Sequence, residues 1–427
     1  MIFSTYSFWI FFIVTLGIIN FAPAFKINID NALPMLSKLV GRTCSVRRVL
    51  LIGASIYFLI KFSGNLSVYP IFMLGFLSYL MPFVARKYHR RWLLMLPIIL
   101  CVMTLMYYKY LNLLGESLLT LTSGNMHAAV TAVYTLVVIH PAPLAISFFT
   151  FEFCHYLIDV YRGRPMIRKV DEFLAFALFF PTLVAGPIKR YVHFINELRK
   201  SPLTLSFESS VVPFIRIIVG LAKKLFIADP VTSLINDMYG AGTLPGIYGS
   251  GGMHGYTTVF FILLLYVRIY VDFSAYSDIA IGCAKIFGIK IPENFNFPFL
   301  ANSLSDFWQR WHISLSAWIR DYLYIPLGGG RSSIKRKLFN ICLIMLVAGL
   351  WHGAAWNYAC WGILHGVGLV VQHSYFRLLP EGKKLSPKCF PFLGILLTFT
   401  FVSFSWLIFF YSPAEALRII ITLRSGW

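Results

Sequence analysis

Residues 338–376 read LFNICLIMLVAGLWHGAAWNYACWGILHGVGLVVQHSYF, 39 positions without one Asp, Glu, Lys or Arg. At about 1.5 Å per residue this run would extend about 58 Å as a single helix, nearly twice a hydrocarbon core of about 30 Å. It therefore predicts a helical hairpin turning near residues 353–357. His352 then stands near the end of the first arm, and His365 partway down the second at similar depth. Ionisable groups inside an apolar hairpin mark a candidate functional site, to be weighed against two satisfied core histidines.

The rest of the chain has the same character. Of 427 residues 58% are hydrophobic and only 13% charged, with a mean hydropathy of +0.73. A soluble protein of this length needs more polar surface, so the chain is an integral membrane protein. Long continuous apolar runs, rather than alternating segments of about ten residues, exclude a β-barrel and leave helices. The net charge of +20 does not point to nucleic acid. Its basic residues are dispersed between apolar runs, as cytoplasmic loop residues of a multi-pass protein are. Seven cysteines, at 44, 101, 154, 283, 342, 360 and 389, form no CxxC pair, so neither a zinc site nor a disulfide framework is indicated. The uncharged residues 1–25 lack the basic head of a cleavable signal and read as a retained first span.

Further spans follow at 62–85 and 92–108, with a short apolar run at 49–60 and the densest basic cluster at Arg86-Lys87-Tyr88-His89-Arg90-Arg91. That cluster is assigned to the cytoplasm, with the N-terminus outside. Nothing in the first hundred residues suggests more than lipid-facing scaffold. His140-Pro141-Ala142-Pro143 interrupts an uncharged run at 117–151. Glu152 and Asp159 in the next apolar helix are expected to face protein or a polar cavity, because charge facing lipid is costly. Pro181, Gly186 and Pro187 break 173–188 into a re-entrant segment or an interfacial loop, and glycines from 240 to 255 indicate an external loop. Asp272 and Asp278, six apart, do not share a helix face well and are not read as a metal pair.

Residues 305–321, SDFWQRWHISLSAWIRD, read as one amphipathic helix with Ser305 as N-cap and Asp306 in the first turn. Phe307, Trp311, Leu315 and Trp318 recur at helical spacing on one face. The Gly328-Gly329-Gly330 run after it has neither the spacing nor the context of a nucleotide loop. The last span is placed at 389–414. Histidine is the natural general base near neutral pH, and the chain has no GxSxG, HExxH or DxDxT-like motif. A base without a neighbouring nucleophile suggests direct transfer, in which it deprotonates a substrate hydroxyl that attacks an activated donor.

Several blocks are similar to one known family. They are ISFFTFE at 146–152, LIDVYRG at 157–163, FFPTLVAGPIKRY at 179–191 and DFSAYSDIAIG at 272–282. PENFNFPFLANSLSDFWQRWHISLSAWIRDYLYIPLGG at 292–329, GLWHGAAW at 349–356 and WGILHG at 361–366 continue the series. In this order the blocks resemble the membrane-bound O-acyltransferases, in particular the bacterial branch that modifies alginate and teichoic acids. The likeness covers about residues 140–370, while 1–130 match only as hydrophobic spans. Two departures stand out: Tyr411-Ser412 where the family usually carries Arg-Ala, and an end at Trp427, earlier than in many relatives, which would omit a C-terminal span.

The resemblance implies an all-α polytopic membrane protein, a single membrane domain of about ten to twelve helices with re-entrant and amphipathic pieces around a transmembrane tunnel. By residue, it implies that His352 and His312 are catalytic, His352 as the base on the acceptor hydroxyl and His312 on the donor carbonyl. Trp308, Arg310, Trp311, Asn294 and Asp321 are expected to line or brace the site, with His365 in a supporting role. The implied activity is O-acylation of a cell-surface or exported polysaccharide, most simply acetylation from acetyl-CoA on the cytoplasmic side of a bacterial inner membrane. No bound cofactor or metal is expected. A periplasmic or extracellular acyltransferase partner could complete transfer to the glycan. The alternatives are D-alanylation of teichoic acid from a carrier-protein thioester and, in another class, a transporter or flippase. The chain has no inverted repeat to favour transport.

Overall fold

The computed structural model describes residues 3, 5–22, 26–28, 43–63, 68–122, 131, 142–201, 203, 207–239, 255–331, 333–378 and 391–421. The break expected at His140-Pro141 and most of the glycine-rich loop lie outside them. The chain divides into two compact units, residues 1–218 with 278–292 and residues 219–277 with 293–427.

The first unit carries α1 (Tyr6–Phe21), α2 (Val46–Ser63), α3 (Tyr69–Lys87), α4 (Met95–Leu105), α5 (Leu111–Leu121), α6 (Ile146–Tyr161), α7 (Val170–Ala177), α8 (Tyr191–Lys200) and α9 (Phe207–Lys223, which ends in the second unit). An antiparallel ribbon of three residues a side, β1 (Lys26–Asn28) with β2 (Thr43–Ser45), is the strand structure found among the described residues. The second unit carries α10 (Asp229–Tyr239), α11 (Gly255–Ile286, which ends in the first unit), α12 (Leu304–Arg310), α13 (Ile313–Ile319), α14 (Ile334–His352), α15 (Trp356–Leu378), α16 (Pro391–Phe410) and α17 (Pro413–Ile421). The protein is an all-α membrane protein, as expected. Four described helices are long and apolar enough to cross a membrane: Tyr69–Lys87, Arg91–Leu119, Tyr256–Ile286 and Pro391–Phe410.

In the first unit the prolines break the chain where the sequence indicates. After α7 comes one tight turn, Phe180–Thr182, and then irregular backbone up to α8. Protein surrounds this break, as irregular backbone at membrane depth requires. The Phe180 ring lies 5.1 Å from Phe11, 5.8 Å from Phe58 and 5.8 Å from Phe287. Lys189 is buried and ion-paired to Glu152 of α6, and Asp159 is buried 3.7 Å from Arg164. Both acids thus face protein.

In the second unit the hairpin is present. α14 and α15 are joined by residues 353–355 and form the most extensively packed helix pair among the described residues. Glycines make the close approach possible. A Cβ on Gly349 would meet the Tyr358 carbonyl oxygen at 2.2 Å, and one on Gly362 would meet the Met345 carbonyl oxygen at 2.4 Å. Small residues at such seams let helix backbones approach where lipid supplies no hydrophobic drive. One expectation fails here. His352 is the last residue of α14, whereas the His365 backbone lies nine residues into α15, a rise of about 14 Å from the start of that helix. The turn is only three residues long, so the two histidines are at different depths.

Candidate active site

The helix expected over 305–321 is broken in two. Ser303, not Ser305, caps α12: its hydroxyl accepts from the Asp306 amide at 3.2 Å. Asp306 does sit in the first turn, where it also accepts from the Asn302 amide at 3.1 Å. After Arg310 the backbone turns extended at Trp311, then left-handed at His312 (φ 44°, ψ 52°), before α13 begins. Two backbone hydrogen bonds hold this break against the loop at 294–296. The Asn296 amide donates to the Arg310 carbonyl and the Ile313 amide to the Asn294 carbonyl, both at 3.0 Å. Left-handed backbone is uncommon for a residue with a Cβ, and it persists where the surroundings over-determine it. The face Phe307, Trp311, Leu315 and Trp318 is still fully buried. Periodicity was a sound guide to burial here but could not show the interruption.

Asn294 is the main brace. It is fully buried, its Nδ2 donates to Ser277 Oγ at 3.2 Å, and its Oδ1 accepts from Ser314 Oγ at 2.6 Å. It therefore ties α11 to the first turn of α13, beside His312. Asn294→Ala should loosen the His312 turn, lowering kcat about tenfold or more with little change in KM, since small misplacement of a reacting group is expensive. Steady-state acyl-transfer kinetics on the variant test this, and an unchanged kcat would refute the positioning role.

His312 is buried against Phe273, with ring centroids 4.7 Å apart. Neither ring nitrogen has a hydrogen-bond partner among the described residues outside its own backbone. Trp351 links it to His352: the indole lies 5.7 Å from the His312 ring and 4.9 Å from the His352 ring. The two histidines are within electrostatic reach of each other. His352 is partly exposed and is held between Trp361 at 5.5 Å and Phe409 at 5.1 Å, with Tyr358 at 6.4 Å. Gly353 has no Cβ to strike the Tyr358 ring, which would lie 2.1 Å away.

His365 is deeper and differently used. Its Nε2 lies 2.9 Å from Ser405 Oγ, whose hydroxyl donates to the Val402 carbonyl at 2.7 Å. The single serine proton is committed there, so His365 Nε2–H is the donor. Ser405→Ala leaves that N–H unpaired in a dry core and should destabilise the protein by about 1–3 kcal/mol. Thermal unfolding in detergent measures it, and an unshifted Tm would count against the bond. His365 Nδ1 and the indole N–H groups of Trp308, Trp361 and Trp406 are buried without hydrogen-bond partners among the described residues. Trp308 and Trp361 lie 5.3 and 4.7 Å from the His365 ring, and Trp406 stacks on Trp361 at 5.5 Å. Buried polar atoms are seldom left unpaired without a reason, and here they gather around the two histidine motifs.

The remaining expected residues have the following contacts. Trp311 is packed between Phe295 at 5.1 Å and Trp406 at 5.2 Å. Arg310 binds Asp306 at 2.8 Å and the Asn296 carbonyl at 3.3 Å. Asp321 pairs with its neighbour Arg320 at 2.8 Å in a π-turn following α13. Sequence reasoning passed over Trp351, Ser314, Ser405 and Phe273. The first two lie within two residues of the histidines, but the other two come from distant segments and carry no local signal. Asp272 and Asp278 take separate basic partners, Lys224 at 2.7 Å and Arg216 at 3.0 Å.

The chain is similar to a set of known proteins. The model of the membrane-bound O-acyltransferase family matches residues 169–412. The probable alginate O-acetylase of Pseudomonas aeruginosa is 37% identical over 324 residues, 75% of this chain and 57% of its own. The peptidoglycan O-acetyltransferase of Helicobacter pylori is 34% identical over 299 residues, 62% of this chain and 54% of its own. A teichoic acid D-alanyltransferase from Streptococcus thermophilus is 32% identical over 288 residues, 62% of this chain and 68% of its own. The chain thus spans a little over half the length of the two O-acetyl-transferring relatives.

Proposed function

The chain belongs to the membrane-bound O-acyltransferase family, and from that premise we propose that it transfers an acyl group, most simply acetyl from acetyl-CoA, to hydroxyls of a cell-surface or exported polysaccharide. The observation that carries this reading is the pairing of His312 and His352 around Trp351, with both His312 ring nitrogens unpartnered outside its own backbone among the described residues. His352, partly exposed, takes the proton of the acceptor hydroxyl. The oxygen attacks the thioester carbonyl carbon, the C–S bond breaks, and the thiolate leaves to take up the proton. His312, or an indole N–H beside it, donates to the carbonyl oxygen as negative charge develops there. Asn294, Arg310 and Trp311 hold the His312 turn, Trp308 borders it, Asp321 steadies the chain beyond α13, and His365 supports α15 from behind.

We place the protein in a bacterial inner membrane, with the donor on the cytoplasmic side and an extracytoplasmic acyltransferase able to complete transfer. A second reading keeps the same steps with a D-alanyl thioester on a carrier protein. It is favoured by the larger share of the D-alanyltransferase that this chain spans. The test supplies isotope-labelled acetyl-CoA and, in parallel, a labelled D-alanyl carrier-protein thioester to inside-out membrane vesicles, with mass spectrometry of the surface polymers. Labelled acetyl esters that depend on the protein support acetyl transfer. D-alanyl esters alone would select the second reading, and no new ester of either kind would sink both.

A further inference from the structure

The first unit contains a basic cavity, lined partly by residues 82–94, where the sequence suggests only scaffold, and partly by residues 160–168. Its volume is about 420 Å³, and Arg86, Arg91, Arg164, Arg168 and His89 stand around an apolar floor that includes Pro82, Leu94 and Val160. Among the described residues no acidic one lines it. Two helix ends shape it. α3 terminates with His89 left-handed (φ 55°) and the Arg90 amide bonded to the Ala85 carbonyl at 2.9 Å. α6 terminates with Gly163 at φ 95° and the Arg164 amide bonded to the Asp159 carbonyl at 3.0 Å. Both are helix-ending loops that close the last carbonyls on the chain itself.

Charge bookkeeping shows a surplus. Two helix C-termini supply about half a negative charge each, and Asp159, 3.7 Å from Arg164, supplies one more. Against four guanidiniums this leaves about two positive charges uncompensated around one cavity. The cavity also sits where two membrane-crossing helices meet, since one candidate span ends at Lys87 and the next begins at Arg91. An apolar floor, a guanidinium rim and a place at the end of two spans are together what a phosphate-bearing amphiphile needs. We propose that this cavity is a binding site for a phosphate group at the membrane boundary. The phosphate belongs either to an anionic lipid headgroup, with its chains against the apolar floor, or to a soluble phosphate ester.

The cavity and its charge do not rest on the acyl-transfer reading, and the phosphatidylglycerol arm of the test fails separately from it. The test uses the full chain purified in detergent, with two double variants, Arg86→Gln with Arg91→Gln and Arg164→Gln with Arg168→Gln. All four side chains are exposed, and ligand-free thermal unfolding verifies folding, so either pair alone carries the test. Retention of phosphatidylglycerol against phosphatidylcholine is read by native mass spectrometry, and affinity for coenzyme A by titration. Losing two basic residues near a charged headgroup should weaken binding on the order of tenfold or more. A loss confined to phosphatidylglycerol retention supports the site with lipid as the source. A loss confined to coenzyme A affinity supports it with the soluble ester as the source. Unchanged binding of both in a folded double variant overturns the proposal.

Discussion

His352→Ala should lower acyl transfer by a factor on the order of 10²–10⁴, the usual contribution of a positioned general base, while the protein still inserts and accumulates. The geometry separates these outcomes. His352 is the last residue of α14 and partly exposed, so its ring contributes contacts to Trp361 and Phe409 rather than a filled core position. Truncation therefore costs little packing but removes a basic nitrogen that sits next to Trp351 and in electrostatic reach of His312. His352→Gln retains a polar side chain of similar reach without an imidazole base, and should be as inactive as the alanine variant. Turnover on isolated membranes, with the amount and Tm of the purified variant, checks both. Near wild-type turnover in either variant would remove His352 from the chemistry. Loss of folded protein would mark it as a core residue.

Gly362→Val should severely damage the fold of the second unit. A Cβ there meets backbone, not a mobile side-chain tip: the Met345 carbonyl oxygen at 2.4 Å, Leu346 Cα at 3.1 Å and Met345 C at 3.1 Å. Ordinary overpacking costs about 1–3 kcal/mol, and here relief requires α14 and α15 to separate. Trp361 precedes Gly362, and His365 follows on the next turn of α15, so separation would also displace the aromatic wall around both histidines. The expected result is a large drop in Tm or in recoverable folded protein, with activity lost alongside. Gly53→Ala in α2, where nothing lies within 4 Å of the added carbon, is the matched control and should melt like wild type. If Gly362→Val also did so, the helices would not be as close as described.

The serine at 412, one of the departures from the family pattern, has a local explanation. Ser412 caps α17 in a reciprocal box, with the Ser412 amide donating to Glu415 Oε2 at 2.9 Å and the Glu415 amide donating to Ser412 Oγ at 3.3 Å. The Ser412 hydroxyl and amide hold the Glu415 carboxyl below its ordinary value. Such a cap satisfies two otherwise open helix N–H groups, so the serine at 412 has a structural use of its own.

Local chemistry in the sequence settled a good deal. Sustained apolar runs dictate membrane helices because lipid leaves no other way to satisfy the backbone. Gly353 and the length of 338–376 dictate a hairpin, and Pro181 and Pro187 dictate a break. The motifs around His312 and His352 identified the family, since each block keeps residue types at fixed short spacing. Other features depended on distant segments. The left-handed turn at His312 exists because residues 294–296 bond across it, and no pattern within 305–321 records that. The depth of His365 followed from how short the turn is, and its donor role from Ser405, forty residues away. The basic cavity needs the ends of α3 and α6 side by side, although their arginines are more than seventy residues apart in the chain. Periodicity reports which side of an element is buried. Only the tertiary structure decides what each buried polar atom meets, because those partners arrive from elsewhere in the chain.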